Sequence, residues 1–66
     1  MNIQVNGEHW DLPDGSAVAD VLDRLGVPAS GVAVALDGAV VPRALWPHTA
    51  LRPGASVEVL TAVQGG

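Results

Sequence analysis

Two dipeptides, Asn6-Gly7 and Asp37-Gly38, constrain this 66-residue chain more than any other feature. A two-residue hairpin loop of type I′ needs positive φ at both central positions, which Asn, Asp and Gly tolerate. The flanks of the first loop alternate as a half-buried strand pair should: Ile3 and Val5 before it, Trp10 and Leu12 after it, with polar residues between. The pattern predicts an antiparallel hairpin over 2–6 and 8–12, stopped by Pro13-Asp14-Gly15. The second loop joins the apolar run Val32-Ala33-Val34-Ala35-Leu36 to Ala39-Val40-Val41, a second hairpin that Pro42 ends or marks as an edge.

One helix lies between the hairpins. Val18, Val21, Leu22 and Leu25 fall at i, i+3, i+4 and i+7, while Asp20, Asp23 and Arg24 take the wet face. Ser16 is expected to be the N-cap, Gly26 the residue just past the end, and Pro28 forbids continuation, so the helix should span about 17–25. Residues 44–55 are rich in Pro and Gly, with a possible helical turn around Leu45-Trp46-Pro47-His48. The last strand is Ser56 to Val63, with Val57, Val59, Thr61 and Val63 on one side and Glu58, Leu60 and Ala62 on the other. A single helix covers only one face of a sheet, so the fold class is α+β. The helix should pack on Ile3, Val5, Val34 or its neighbours, Val57 and Val59. Leu60 and Ala62 then stand on the uncovered side, an apolar pair suited to a partner.

Composition removes several function classes. Apolar residues make 48% of the chain and charged residues 15%, which suits a folded domain and not a disordered one. There is no room for a second domain, and a chain this short buries only about 60% of its unfolded surface. With no cysteine, disulfides and thiolate metal sites are out, and His9 and His48 lack any ligand spacing, so no metal is expected. A net charge of −4 repels a phosphate backbone, which argues against nucleic acid and for a more basic protein partner. No apolar run approaches the roughly 20 residues that span a bilayer, and Met1-Asn2-Ile3-Gln4 lacks a signal pattern, so a soluble cytoplasmic domain is expected.

The residues with chemical promise lie at the end. Gln64-Gly65-Gly66 follows the last strand directly, and a terminal Gly-Gly arises by chance in about 0.5% of chains. Such a tail has no Cβ atoms in its last two residues, can enter a narrow channel, and presents an open carboxylate. That carboxylate is inert to nucleophiles until it is activated, for example as an acyl-adenylate. Gly65 and Gly66 are expected to be mobile, since no apolar side chain follows Val63 to anchor them. Elsewhere, Arg43 could bind a carboxylate or phosphate on a partner, and Trp46 reads as a lid on the core. His9 and His48 have no neighbouring Ser, Cys or paired acid, Asp14, Asp20 and Asp23 match no calcium loop, and no glycine loop cradles phosphate. The chain is therefore expected not to be an enzyme. It also lacks lysine, so its only amine is the amino terminus and an activated tail could not acylate side chains of sister molecules.

Asn6-Gly7-Glu8 after the first strand, Val18-x-x-Val21-Leu22 in the helix, Val32-Ala33-Val34, Val41-Pro42-Arg43 with Trp46 three residues on, and Val63-Gln64-Gly65-Gly66 together resemble the ThiS family. These are the sulfur carriers of thiamine thiazole synthesis, and the resemblance covers essentially the whole chain. It implies a ubiquitin-like β-grasp domain over 1–63, with a mixed sheet of about five strands and one main helix, and a flexible tail over 64–66. It implies a ThiF-type enzyme that adenylates Gly66 with ATP, a sulfur donor such as a cysteine desulfurase system, and a ThiG-type thiazole synthase that takes the sulfur from the thiocarboxylate. No bound cofactor is implied; ATP belongs to the activating partner. Leu60, Ala62 and Arg43 are the expected partner contacts, with Gln64 and Gly65 as the tail. Similar carriers serve molybdopterin, RNA thiolation and cysteine synthesis, and a ubiquitin-like modifier or interaction module is the rival reading. The family usually has Thr where Ala17 stands, hence the cap assigned to Ser16, and Gly-Asp where this chain has Gly54-Ala55.

Overall fold

The computed structural model describes residues 1–28 and 30–61. In order they form β1 (Asn2–Val5), β2 (Glu8–Asp11), α1 (Val18–Leu25), β3 (Val32–Leu36), β4 (Ala39–Val40), a 3₁₀ segment (Arg43–His48) and β5 (Ser56–Thr61). The sheet runs β2-β1-β5-β3-β4, so the last strand in sequence is the central one in space. β1 and β5 are parallel, with Gln4 opposite Ser56 and Val5 opposite Val57. The other pairs are antiparallel. A parallel neighbour needs a long connection. The helix, the second hairpin and the 3₁₀ segment supply it.

Both loops take the expected form: φ is 50° at Asn6 and 83° at Gly7, and 49° at Asp37 and 85° at Gly38. Alternation in the strands then sorts the side chains. Ile3, Val5, Val34, Val57 and Val59 turn inward and form one apolar cluster with Val18, Val21 and Leu22 of α1. Ile3, Val18, Val21, Val34 and Val57 are its most completely buried members. Each such side chain contributes about 1.5–3 kcal/mol by leaving water. Trp46 closes one end of the core, and its indole N–H donates to the Val41 carbonyl at 2.9 Å. That bond explains how a polar-tipped aromatic can be buried in so small a domain.

The helix start differs from expectation. The N-cap is Ala17, with φ −107° and ψ 169°, and it has no side chain able to cap. Ser16 instead closes the preceding turn, its hydroxyl donating to the Pro13 carbonyl at 2.7 Å. The orphan N–H groups find other acceptors. Ala17 N–H donates to Asp20 Oδ2 at 2.7 Å, and Val18 N–H to the Thr49 carbonyl at 3.0 Å. The acid in the first turn and a carbonyl from beyond the 3₁₀ segment thus replace the missing hydroxyl. At the other end Gly26, at φ 72°, returns its N–H to Leu22 and Asp23. β4 is one residue shorter than expected because Val41 turns into the core. β5 is described to Thr61; Ala62 and Val63 lie outside the described residues.

Candidate functional site

The helix covers one face of the sheet; the register fixes what the other face presents. Gln4 stands opposite His9 across β1 and β2. Ala33 stands opposite Leu60 and Ala35 opposite Glu58 across β3 and β5, and Ala35 also faces Val40 of β4. The open face is therefore polar on the β1–β2 side and mostly apolar on the β3–β4–β5 side. Leu60 is 68% exposed and Val40 78% exposed. Leu60 stands opposite the small Ala33, and the two line a shallow depression together with Gly31, Val32 and Thr61. An exposed Leu alone is ordinary; here Leu60 and Val40 share the open face with Ala33 and Ala35, with Glu58 next to Ala35.

Arg43 opens the 3₁₀ segment and is exposed, with no ion pair or side-chain hydrogen bond among the described residues. Leu45, just after it, is 49% exposed. Of the expected site residues, Leu60 and Arg43 are thus placed, Leu60 at the end of the central strand and Arg43 beyond the edge strand β4. Ala62, Gln64, Gly65 and Gly66 lie outside the described residues. Because β1 and β5 are parallel, Thr61 leaves the sheet at the end opposite Met1. The Met1 ammonium donates to the Leu12 carbonyl at 2.6 Å and lies 3.4 and 3.3 Å from Asp11 and Asp14. Desolvation alone would lower its pKa; hydrogen bonds to Asp14 and Asp11 and their negative charge outweigh that and raise it above the usual amino-terminal value.

Two residues near the site were expected only to shape turns. Asn6 donates its main-chain N–H to the Val57 carbonyl at 2.9 Å. Its side chain accepts from Val59 N–H at 2.8 Å through Oδ1, and its Nδ2 donates to the Val59 carbonyl at 3.3 Å. Asp37 does something related at the other end of β5. Its main-chain N–H donates to the Ser56 carbonyl at 2.8 Å, and its Oδ1 accepts from Ser56 N–H at 2.9 Å. The one signal in the sequence was the choice of Asn at one turn and Asp at the other, since only an amide can both donate and accept.

Among the described residues no cluster of three or more His, Cys, Asp or Glu could hold a metal. His9 is exposed, its Nδ1 3.3 Å from Asn2 Oδ1, and His48 is exposed on the 3₁₀ segment. No described helix is long and apolar enough to cross a membrane. The described part of the molecule thus carries an exposed, partly apolar sheet face, with β5 described to Thr61.

A mixed five-stranded sheet wrapped on one helix, with the final strand at its centre, is the β-grasp architecture of ubiquitin-like proteins. Known proteins with this arrangement match along nearly the whole chain. The model of the ThiS family matches residues 2–66. The sulfur carrier protein ThiS of Thermus thermophilus is 38% identical over 64 residues, which span 97% of this chain and 98% of that protein. The crystal structure of the thiamine biosynthesis protein ThiS from Geobacter metallireducens superposes with a TM-score of 0.81 at 32% identity, covering 100% of both chains. A solution structure of a thiamine biosynthesis protein from the same organism gives 0.82 at 35% identity, covering 100% of this chain and 88% of that one. The chain belongs to the ThiS family.

Proposed function

We propose that this protein is a sulfur carrier for thiamine thiazole synthesis, with the Gly66 carboxylate as its reactive group. The observation that carries the reading is the match to the ThiS family over residues 2–66, which includes the terminal Gly65-Gly66. In the proposed sequence a carboxylate oxygen of Gly66 attacks the α-phosphorus of ATP on a ThiF-type enzyme, and pyrophosphate leaves. The terminal sulfur of a persulfide, supplied by a donor such as a cysteine desulfurase system, displaces AMP from the acyl carbon and forms an acyl persulfide. A thiol then attacks the donor-side sulfur of that persulfide, so that the S–S bond breaks, the thiocarboxylate is released and the donor is left as a disulfide. The resulting thiocarboxylate passes to a ThiG-type thiazole synthase. The carbonyl carbon of Gly66 is the electrophile in the first half; in the second half sulfur at the same position is the nucleophile. Adenylation supplies the leaving group that a bare carboxylate lacks.

The chain's own contribution is delivery. The open face that carries Leu60, Ala33, Ala35 and Val40 is the proposed docking face for the activating enzyme, and Arg43 and Ala62 are further proposed contacts. A Gly-Gly end has the least side-chain bulk a channel could meet. The net charge of −4 favours an enzyme surface of opposite sign. No step calls on a side chain of this chain for acid–base work, so the protein acts as a co-substrate of other enzymes.

The test is ATP–pyrophosphate exchange with a ThiF-type partner, followed by intact mass after addition of a sulfur donor. The expected result is exchange that requires Gly65 and Gly66, then a mass gain equal to one oxygen replaced by sulfur. Undiminished exchange by a chain lacking Gly65 and Gly66 removes the carrier reading. Normal exchange with no sulfur gain from several donors favours a ubiquitin-like modifier.

A further inference from the structure

The geometry points to Asn6 as a positioning residue for the carrier reaction: its side chain extends the sheet past the end of β1 and thereby aims the strand from which the reactive tail departs. This rests on the carrier reading above. β1 ends at Val5, opposite Val57. Past that point β5 has β3 on one side, with Val34 opposite Val59, Ala33 opposite Leu60 and Val32 opposite Thr61. On the other side there is no strand among the described residues, and the Val59 N–H and carbonyl need partners. The Asn6 carboxamide provides both, accepting at 2.8 Å and donating at 3.3 Å across a sequence separation of 53 residues. With the main-chain bond from Asn6 N–H to the Val57 carbonyl, one residue continues the ladder along two positions of β5.

The choice of side chain follows from this geometry. The first position of the turn, at φ 50°, admits Asn, Asp or Gly at small cost. Among these only Asn can both accept from an N–H and donate to a carbonyl. Asp37 supplies the internal comparison. It occupies the same turn position at φ 49°, and it also meets one residue of β5 with a donor and an acceptor. There the donor is its own main-chain N–H, so a carboxylate is enough. At Asn6 the main-chain N–H is already committed to Val57, and the side chain must supply the pair. The amide at position 6 is therefore what secures Val59, two residues before Thr61, while the carboxylate at position 37 secures Ser56 at the far end of the strand.

A strand end held on one side frays more readily than one held on both. Gly66 is five residues beyond Thr61, and a chain of that length reaches at most about 17 Å. Fraying at Val59 spreads the positions from which the tail starts, so fewer encounters bring the carboxylate within the about 3–3.5 Å of the α-phosphate that reaction needs. Asn6→Gly is the informative variant, because glycine suits the turn and removes only the carboxamide. Asp37→Gly is its control, with the same turn change at the wrong end of β5. Two readouts apply, taken well below the unfolding transition of each variant. By amide hydrogen exchange, Val59 in Asn6→Gly should exchange about tenfold faster than in the unaltered chain or in Asp37→Gly, as expected on loss of a protecting acceptor. In ATP–pyrophosphate exchange with a ThiF-type enzyme, kcat/KM for the carrier should fall about fivefold in Asn6→Gly and less than twofold in Asp37→Gly. Asn6→Asp, which keeps the turn and the acceptor but loses the donor, should fall between the two and serves if the glycine variant does not fold. Equal losses in both glycine variants would mean a general effect of stability and overturn the positioning role. No loss in either would overturn it too. Absence of exchange by the unaltered chain would remove the carrier reading, and the positioning role with it.

Discussion

The two faces of β5 live in different solvents. Val57 and Val59 point into the core, at 0% and 7% exposure, while Leu60 between solvent and β3 is 68% exposed and Glu58 is exposed beside it. Hydrophobicity does not account for the exposure of Leu60, since Leu60 is as apolar as either valine. What differs is the cover: α1 lies over one face and nothing among the described residues lies over the other. The inner face stabilises the domain, and the outer face is left exposed. One central strand thus joins the core to the proposed docking surface. The comparison predicts that substitutions on the inner face should change stability with little effect on partner affinity, and those on the outer face the reverse.

The largest effect belongs to the inner face. Val57 is fully buried at the centre of the sheet. Val57→Ala removes two methyl groups and leaves a cavity that valines and an isoleucine cannot readily fill, costing about 2–3 kcal/mol. A 66-residue domain has a total stability of only about 3–10 kcal/mol, so the urea midpoint should fall sharply. At temperatures where the variant remains folded, its affinity for a ThiF-type partner should be unchanged. An affinity loss in the folded variant would show that the two faces are coupled.

Leu60→Glu comes next. It should weaken partner binding by about 1–3 kcal/mol, the range of an anchor residue. Stability should stay within about 0.5 kcal/mol, since the side chain is already in water. Calorimetric titration and a denaturation curve on the same sample separate the two. Unfolding by this substitution would place Leu60 in the core and reverse the assignment of faces.

Much of this division was legible in the sequence, because the cues that set it are local. Asn6-Gly7 and Asp37-Gly38 fix two turns, alternation assigns Ile3, Val5, Val57 and Val59 to one face, and the spacing of Val18, Val21 and Leu22 gives the helix its inward stripe. Trp46 belonged in the core because a small core needs its area. The rest turns on which partners the polar groups find. The helix starts after Ala17 and not after Ser16: the Ser16 hydroxyl donates to the Pro13 carbonyl, Asp20 accepts from Ala17 N–H, and Val18 N–H finds the carbonyl of Thr49, distant in sequence. The second task of Asn6 was hidden for the same reason: its partner is 53 residues away. Turn propensity accounts for Asn6 completely when the hairpin is viewed alone, so no local pattern called for another role. At the proposed reactive end, composition and resemblance alone pointed to Gly66, since periodicity has nothing to read in Gly-Gly.

The tail offers a smaller but specific test. Gly65→Val should lower the rate of ATP–pyrophosphate exchange about tenfold, equivalent to about 1.4 kcal/mol in the barrier. Valine narrows the backbone choices of the penultimate residue and adds bulk next to the carboxylate. Stability should not respond. Combining it with Leu60→Glu sharpens the comparison: losses that add in free energy mean that docking and tail insertion are separate contributions.

The smallest expected effect tests the boundary of the docking surface within the open face itself. Gln4 stands on that face, on β1, opposite His9 on one side and Ser56 on the other. It shares solvent exposure with Leu60 but lies in the polar half, where no exposed large apolar side chain is found among the described residues. Polar groups at the rim of an interface stay hydrated and change affinity little when removed. Gln4→Ala should therefore alter both partner affinity and stability by less than about 0.5 kcal/mol. Affinity measured beside Leu60→Glu under the same ionic strength gives the contrast. A loss at Gln4 comparable to that at Leu60 would mean that the partner covers the whole sheet, from β2 to β4. In that case the apolar half around Leu60, Ala33, Ala35 and Val40 would not be what selects it.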